Sequence, residues 1–223
     1  MQPPEILTFD CYGTLINWEE GISAAFRQEA ARQGLDLDRE RLLAAYGELE
    51  PEVEAERYRS YREVLGETAR RVAMRMGWPA VSDRNQFLAA SLGSWPPFPD
   101  THRALERLAS KFRLAILSNI DEDLLAGSLA HFPAPFDWTV TAEKVRSYKP
   151  APAHFEAAIR RAGGRERILH VCGSIFHDVA PARHLGLKVV WVDRKSEGIP
   201  AGGPRPDFRV ADLLELADRL GVP

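Results

Sequence analysis

Short apolar runs alternate with helical segments through the second half of the chain. The runs at 114–117, 138–141, 168–171 and 188–192 predict strands, and a fifth strand is predicted near the start at 6–10. Helical patterns fall near 101–110, 122–130, 153–162, 179–185 and 212–220. Strands that alternate with helices build a mostly parallel sheet with helices on both faces, because a helix provides the crossover between parallel neighbours. The predicted fold class is therefore α/β.

The segment between the first strand and residue 93 is helical throughout. Apolar side chains recur at helical spacing after Trp18, and Gly34 suits the end of a first helix. We predict a second helix over 38–49 that ends before Pro51, and a third over 52–76; Ser82 or Asp83 can cap a fourth. A proline-rich linker at 93–100 separates this helical block from the strands that follow.

Composition excludes several classes of function. The net charge of −3 and the absence of a basic cluster argue against a nucleic-acid surface. The chain has no apolar stretch of membrane-spanning length and no signal segment at its start, so we expect a cytoplasmic protein without a membrane partner. Two cysteines, Cys11 and Cys172, do not form a disulfide framework, and we expect both to be reduced.

Polar residues that can carry chemistry follow four of the predicted strands. Asp10 ends the first strand, Ser118 ends the second, Lys149 follows the third, and Asp178 follows the fourth. Ligands of open α/β sheets bind outside the carboxyl ends of the strands, which lie along one edge when the strands are parallel. The sequence therefore predicts a single site at that edge, with a carboxylate, a hydroxyl, a cation and a second carboxylate.

These segments give the chain a resemblance to the haloacid dehalogenase superfamily over essentially its whole length. The matching stretches are 9–15, 117–119, 148–150 and 173–178, and the form Asp-x-Tyr-Gly-Thr-Leu at 10–15 is similar to the 2-haloacid dehalogenase branch. The resemblance implies a Rossmann-like core domain made of 1–16 and 94–223. It also implies that 17–93 is an inserted helical-bundle cap domain.

The resemblance also implies roles for individual residues. Asp10 would be the nucleophile that forms an ester with the substrate, Lys149 would keep it ionised and placed, and Asp178 would orient Lys149 and the hydrolytic water. Thr14 and Ser118 would hydrogen-bond the nucleophile or the substrate carboxylate. The substrate pocket would further contain Tyr12 as a wall, Asn119 facing the departing halide, Arg41 receiving the halide (with Arg57, Arg59 and Arg62 as alternatives), and Ser174, Phe176 and His177.

The implied activity is metal-free hydrolysis of a small 2-haloalkanoic acid, with a halide as product and no cofactor. Dimerisation is common in this branch, so the resemblance allows a homodimer. The chain departs from the branch at Gly173 and Ile175, where serine and asparagine are usual, and at Phe155, where tyrosine is usual. Two alternatives stay open. One is a magnesium-dependent phosphatase, although Tyr12 and Ser174 stand where acids would hold the metal. The other is a catalytically silent binding protein on the same fold.

Overall fold

The computed structural model describes residues 3–78, 86–199 and 201–223. Its strands form a six-stranded sheet in the order β3-β2-β1-β4-β5-β6, and every neighbouring pair is parallel. The strands are β1 (Ile6–Phe9), β2 (Arg113–Ser118), β3 (Trp138–Thr141), β4 (Ile168–Cys172), β5 (Lys188–Val192) and β6 (Phe208–Val210). The predicted α/β class is confirmed.

The strand order places β1 at the centre of the sheet. The chain moves from β1 to β2 and β3 on one side, then crosses to β4, β5 and β6 on the other. Phe9 at the end of β1 lies level with Ile116 of β2 and Val171 of β4. The loop after β1 therefore emerges at the point where the strand order reverses, which is where open α/β sheets form a crevice.

Both faces of the sheet are buried, and side chains alternate between them along each strand. Leu7 and Phe9 of β1 belong to an apolar cluster that also includes Ile22, Leu42 and Val64 of the helical segment after β1. Ile6 packs into a second cluster on the opposite face, with Leu117 and Phe155. The strands thus read as nearly continuous apolar runs because each residue meets a helix layer on one face or the other.

The helices of the sheet domain alternate with the strands as predicted. They are α5 (Thr101–Ala109), α6 (Glu122–Leu129), α7 (Ala142–Val145), α8 (Ala153–Ala162), α9 (Ala180–His184) and α10 (Leu213–Arg219). Short helical turns at Leu92–Ser94, Arg165–Arg167 and Ile175–Val179 connect other elements. The last of these follows β4 and carries Asp178.

Among the described residues, four α-helices lie between β1 and the linker at 93–100: α1 (Trp18–Gln33), α2 (Arg39–Glu56), α3 (Tyr61–Arg75) and α4 (Phe87–Ser91). The helix predicted over 38–49 does not end before Pro51, which lies inside α2. Buried Leu49 and Val53 on either side of the proline anchor the helix through it. Ser82 and Asp83, the predicted caps of a fourth helix, lie outside the described residues.

The single helix predicted over 52–76 is wrong, because the chain breaks between α2 and α3. Ser60 begins α3 with a capping box: its hydroxyl accepts the backbone N–H of Glu63, and the Glu63 carboxylate accepts the backbone N–H of Ser60. The carboxylate of Asp121, from the loop after β2, accepts the next two backbone N–H groups, those of Tyr61 and Arg62, at 2.8 and 2.9 Å. The start of α3 is therefore held from the sheet side.

The two chain crossings between the helical block and the sheet run side by side. The backbone N–H of Asn17 donates to the Pro96 carbonyl at 2.8 Å, and that of Phe98 donates to the Leu15 carbonyl at 3.0 Å. The division into a core of 1–16 and 94–223 and a cap of 17–93 stays a prediction. In the described part of the chain, no helix combines the length and apolarity needed to cross a membrane.

Candidate active site

A buried lysine lies between two buried carboxylates at the carboxyl edge of the sheet. Lys149 Nζ donates to Asp10 Oδ1 at 2.8 Å, to Asp178 Oδ1 at 2.6 Å and to the Leu117 carbonyl at 3.0 Å. Those contacts use all three N–H donors of the ammonium. The side chains of Lys149, Asp10 and Asp178 are 2%, 10% and 1% exposed, so Asp10 is the member that retains access to solvent.

Burial and the shared ammonium move the pKa values of the two acids in opposite directions. Burial raises the pKa of Asp10, and the charge of Asp178 adds to that rise while Lys149 opposes it. For Asp178, burial is outweighed by the charge of Lys149 and by a hydrogen bond from His170, which hold its pKa well below its usual range. The two carboxylates in turn raise the pKa of Lys149 despite its burial. Asp178 is thus the fixed anion, and Asp10 is the more basic carboxylate.

A tight approach of two loops fixes the second oxygen of Asp10. Thr14 Oγ1 donates to Asp10 Oδ2 at 2.8 Å and itself accepts the backbone N–H of Gly173 at 2.8 Å. A Cβ atom at position 173 would come within 2.4 Å of the Gly13 carbonyl oxygen. Glycine is therefore required here by the approach of the loop after β4 to the loop after β1, which explains the departure from serine at this position.

Ser118 and Asn119 follow β2 and play different parts in the geometry. Ser118 is 1% exposed, and its hydroxyl has no hydrogen-bond partner among the described residues. The Asn119 side chain brackets the Lys149 backbone: Oδ1 accepts the Lys149 N–H at 2.7 Å, and Nδ2 donates to the Lys149 carbonyl at 3.1 Å. Asn119 therefore holds the backbone of the loop that carries Lys149, while the buried Ser118 hydroxyl is left without a protein partner among the described residues.

Sequence reasoning missed a histidine that supports Asp178 from inside the sheet. His170 lies on β4 beside Thr8 of β1; its Nε2 is 3.1 Å from Asp178 Oδ1, and its Nδ1 is 2.9 Å from the Thr8 hydroxyl. The ionised Asp178 carboxylate only accepts, so Nε2–H donates to it, whereas the donor in the pair with Thr8 depends on the ring tautomer. A polar residue inside the apolar run 168–172 was the available signal, because a buried polar side chain needs a partner.

A cavity of about 790 Å³ borders this site between the loops of the sheet and the helices α1–α3. Tyr12, Gly13 and Gly173, the chain neighbours and loop partner of Asp10 and Thr14, line it, while the side chains of Asp10, Lys149 and Asp178 lie behind that lining. The ring of Tyr12 packs edge-on against Trp95, and its hydroxyl is paired with Ser128 at 2.8 Å rather than with Asp10. Burial raises the pKa of Tyr12 well above its ordinary value. Tyr12 is thus a wall whose hydroxyl is engaged on α6.

The turn after β4 forms another side of the cavity. Ser174 Oγ accepts the backbone N–H of His177 at 3.1 Å and lies 3.1 Å from His177 Nδ1, so the two side chains support each other. Phe176 packs edge-on against His177 and is 60% exposed. Ser174, Phe176, His177 and also Ile175 line the cavity.

Arg41, the predicted halide-binding residue, does not line the cavity in this structure. Its side chain is exposed and donates to the Arg75 carbonyl at 3.3 Å. The cavity-facing part of α2 lies further along, at Tyr46 to Pro51, and a rise of 1.5 Å per residue puts Arg41 roughly 14 Å before Glu50 along the axis. The alternative arginines do not line the cavity either: Arg59 pairs with Glu56, Arg62 pairs with Asp123, and Arg57 is exposed.

The residues that α2 and α3 do bring toward the site are acids and tyrosines, which the sequence did not single out. Glu50 lines the cavity and accepts the hydroxyls of Tyr46 and Tyr61. One turn later, Glu54 lies 3.4 Å from Asn119 Nδ2. Burial raises the pKa of Glu54 well above its ordinary value, and the charge of Glu50 adds to the rise.

One group of potential metal ligands occurs among the described residues: His170, Cys172 and Asp178, whose ligand atoms lie within 4.8 Å of one another. All three are buried, and burial raises the pKa of the Cys172 thiol, which disfavours the thiolate that binds metal. The ammonium of Lys149 already contacts the carboxylate of this group. The donor set therefore fits a hydrogen-bond network better than a cation.

Comparisons with known proteins agree with this geometry. Residues 4–219 match a family model described as hydrolase, haloacid dehalogenase-like hydrolase. The chain is similar to (S)-2-haloacid dehalogenase H-109 of Pseudomonas putida, with 29% identity over an alignment of 238 positions that covers 99% of each protein. It is 34% identical over 131 residues to (S)-2-haloacid dehalogenase 2 of Pseudomonas sp. strain CBS-3, covering 56% of each. Among solved structures, L-2-haloacid dehalogenase from Xanthobacter autotrophicus has a TM-score of 0.85 at 21% identity over 98% of this chain and 99% of that chain, which establishes a shared fold.

Proposed function

Because the chain belongs to the haloacid dehalogenase-like hydrolases, we propose that it hydrolyses the carbon–halogen bond of a small 2-haloalkanoic acid. The observation that carries the proposal is the burial and hydrogen bonding of the Asp10 carboxylate. Its carboxylate is 10% exposed, is held at one oxygen by Lys149 and at the other by Thr14, and lies at the switch point of the sheet. A desolvated and oriented carboxylate is suited to nucleophilic attack on carbon.

The reaction would proceed in two steps. In the first, a carboxylate oxygen of Asp10 attacks the carbon that bears the halogen, a carbon–oxygen bond forms, and the halide leaves with the bonding electron pair. In the second, water attacks the carboxyl carbon of the Asp10 ester; this releases the 2-hydroxy acid and a proton and regenerates the carboxylate. Neither step requires a metal, because a halide leaves without being protonated.

The neighbouring groups have complementary parts in this scheme. Lys149 keeps Asp10 ionised during attack and balances the charge that returns to it after hydrolysis. The unpartnered hydroxyl of buried Ser118 is available to donate to the substrate carboxylate. Asp178 holds Lys149 through Oδ1, and its second oxygen, which has no partner among the described residues, is available to orient the hydrolytic water by accepting a hydrogen bond from it.

The donor set supports this chemistry over phosphate-ester hydrolysis with magnesium. A magnesium site needs several free hard oxygen ligands, whereas Asp10 and Asp178 each give an oxygen to the same ammonium. Protonation of a leaving alcohol would need an acid near position 12, and the Tyr12 hydroxyl is buried and committed to Ser128. A halide leaving group removes that need.

The test is halide release from chloroacetate and 2-chloropropionate, with and without a chelator, beside hydrolysis of p-nitrophenyl phosphate. We expect chloride release that the chelator does not change, and its loss in Asp10→Asn but not in Asp36→Asn, a change at an exposed aspartate. A single turnover in heavy-oxygen water should place the label in Asp10 before it appears in product. Phosphate release without chloride release, restored by magnesium after chelation, would overturn the proposal.

A homodimer and a cytoplasmic location remain predictions from the sequence. Sedimentation at micromolar concentration tests the first, and fractionation of the source cells tests the second.

A further inference from the structure

The carboxylate of Glu50, on α2, lines the cavity and is held in place by hydrogen bonds. Glu50 Oε1 accepts the hydroxyls of Tyr46 and Tyr61, each at 2.6 Å, and both tyrosines are buried, at 1% and 6% exposure. Glu50 Oε2 has no hydrogen-bond partner in the part of the chain that the structure describes, while the residue lines the cavity. A carboxylate oxygen that is oriented by two buried phenols and left without a donor is arranged to receive a donor from a ligand.

The charge around Glu50 is not balanced by the protein. Two cationic side chains line the same cavity, and each is engaged elsewhere: Arg194 pairs with Asp100 at 2.9 Å, and Lys195 pairs with Glu19. Among the described residues, Glu50 forms no ion pair, and the acid one turn away, Glu54, cannot supply a positive charge. A partly desolvated anion without a counter-charge favours a ligand that brings one.

The walls around this carboxylate are aromatic. The rings of Trp18 and Tyr46 lie 5.7 Å apart, and Tyr61 and Trp95 line the same cavity. The faces of indole and phenol rings attract cations, and aromatic walls with a carboxylate are how proteins recognise ammonium groups. Trp18 and Trp95, which form no hydrogen bond with Glu50 among the described residues, add cation-binding faces to the carboxylate, and the rings and the carboxylate favour the same chemistry.

From this arrangement we infer that the cavity takes a 2-haloalkanoic acid whose far end carries an ammonium group, which Glu50 binds while Asp10 attacks the halogenated carbon. The inference rests on the proposed function and deepens it. The substrate then has two charged ends: its carboxylate, attached to the carbon that Asp10 attacks, lies at the sheet end of the cavity, and its ammonium lies toward α2. An acid with a second carboxylate at the far end is disfavoured, because that group would face Glu50.

The test compares three substrates of equal chain length: 2-chloro-6-aminohexanoate, 2-chlorohexanoate and 2-chlorohexanedioate, with the 4-amino and 5-amino homologues covering shorter reach. We expect kcat/KM for the best amino acid to exceed that for its uncharged analogue by about tenfold or more, as a charge-assisted hydrogen bond allows. The dicarboxylate should be the poorest. In Glu50→Gln the amino preference should fall to near unity. It should persist in Glu48→Gln, a matched change at an exposed glutamate of the same helix.

Binding separates this inference from the proposed reaction. Titration calorimetry of the wild-type protein should detect 6-aminohexanoate and not hexanoate, whether or not chloride is released. Chloride release without an amino preference, or a preference that survives in a folded Glu50→Gln variant, would overturn the ammonium inference alone. Absence of chloride release from every chloro acid, with 6-aminohexanoate still bound through Glu50, would overturn the dehalogenase proposal alone.

Discussion

Replacing Lys149 by methionine tests whether one ammonium holds the two acids of the site. The substitution keeps an unbranched apolar stem of similar length and removes the charge. In the wild type, the ammonium lies 2.8 Å from Asp10 Oδ1 and 2.6 Å from Asp178 Oδ1. Without it, the two carboxylates face each other in a buried site. Breaking a buried ion pair by removing one partner costs about 3–5 kcal/mol, because the remaining charge is left uncompensated. Total stabilities are about 5–15 kcal/mol, so the variant should still fold.

The same reasoning gives a pH dependence with a definite sign. Without the ammonium, two carboxylates that close together cannot both ionise, so the pKa of one of them rises further above its unfolded value. The folded variant then binds a proton that the unfolded chain does not, and its free energy of unfolding increases as the pH falls. One proton gives at most about 1.4 kcal/mol per pH unit, so lowering the pH from 7.5 to 5.5 should recover up to about 2.7 kcal/mol.

Urea unfolding followed by circular dichroism at both pH values measures these quantities. Lys144→Met is the control, because Lys144 is 48% exposed and its ion pair with Glu122 should contribute less than about 1 kcal/mol. A loss below about 1 kcal/mol in Lys149→Met at pH 7.5, or an equal loss at pH 5.5, would refute the electrostatic account. Halide release should be lost in the variant at both pH values.

Three further outcomes follow from the structure. Burial lowers the pKa of His154 to about 3. Its contribution to the free energy of unfolding is therefore complete above pH 6.5 and falls by about 2.7 kcal/mol at pH 4.5. Urea titrations should show this loss in wild type and in the control His102→Asn, which changes an exposed histidine, and a smaller loss in His154→Asn. Gly173→Ala should cost about 1–3 kcal/mol and slow halide release, because its Cβ meets the Gly13 carbonyl; thermal unfolding identical to wild type would contradict this. Asp121→Ala should speed amide hydrogen exchange at the first two residues of α3 and destabilise by about 1 kcal/mol; unchanged exchange there would show that the carboxylate does not cap the helix.

The sheet was predictable because strands and helices impose different periods on apolar residues. The predicted strand at 114–117 is one residue shorter at each end than β2, and those at 138–141 and 188–192 match β3 and β5. The short edge strand β6 (Phe208–Val210) was missed, because three residues with a central arginine give no periodic signal. The break between α2 and α3 was also missed, although Ser60 and Glu63 form a recognisable capping box.

Whether a site residue could be predicted from the sequence depended on the structural element that carries it. Asp10, Lys149 and Asp178 follow strands, and the parallel sheet alone determines that strand ends meet at one edge. Which residue of α2 faces the cavity depends on the angle at which that helix packs and on its rotation about its own axis. The sequence alone does not determine either of these. Arg41 is predicted to bind the halide because it is a cation on the second helix. In the structure its side chain is exposed, and Glu50 of the same helix faces the cavity.

The residues around the cavity come from different parts of the fold: the helices between β1 and the linker, the linker itself, and the loops at the carboxyl edge of the sheet. The groups that contact Asp10 directly, Thr14 and Lys149, lie in loops at the carboxyl edge of the sheet, whereas Trp18, Tyr46 and Glu50 lie on α1 and α2. For laboratory evolution, this separation means that a library confined to positions 18, 46, 50 and 61 can explore new selectivities while every hydrogen bond of the reactive carboxylate is left unaltered. Natural divergence can use the same freedom. Paralogues with different substrates can therefore keep the same residues around the reactive carboxylate.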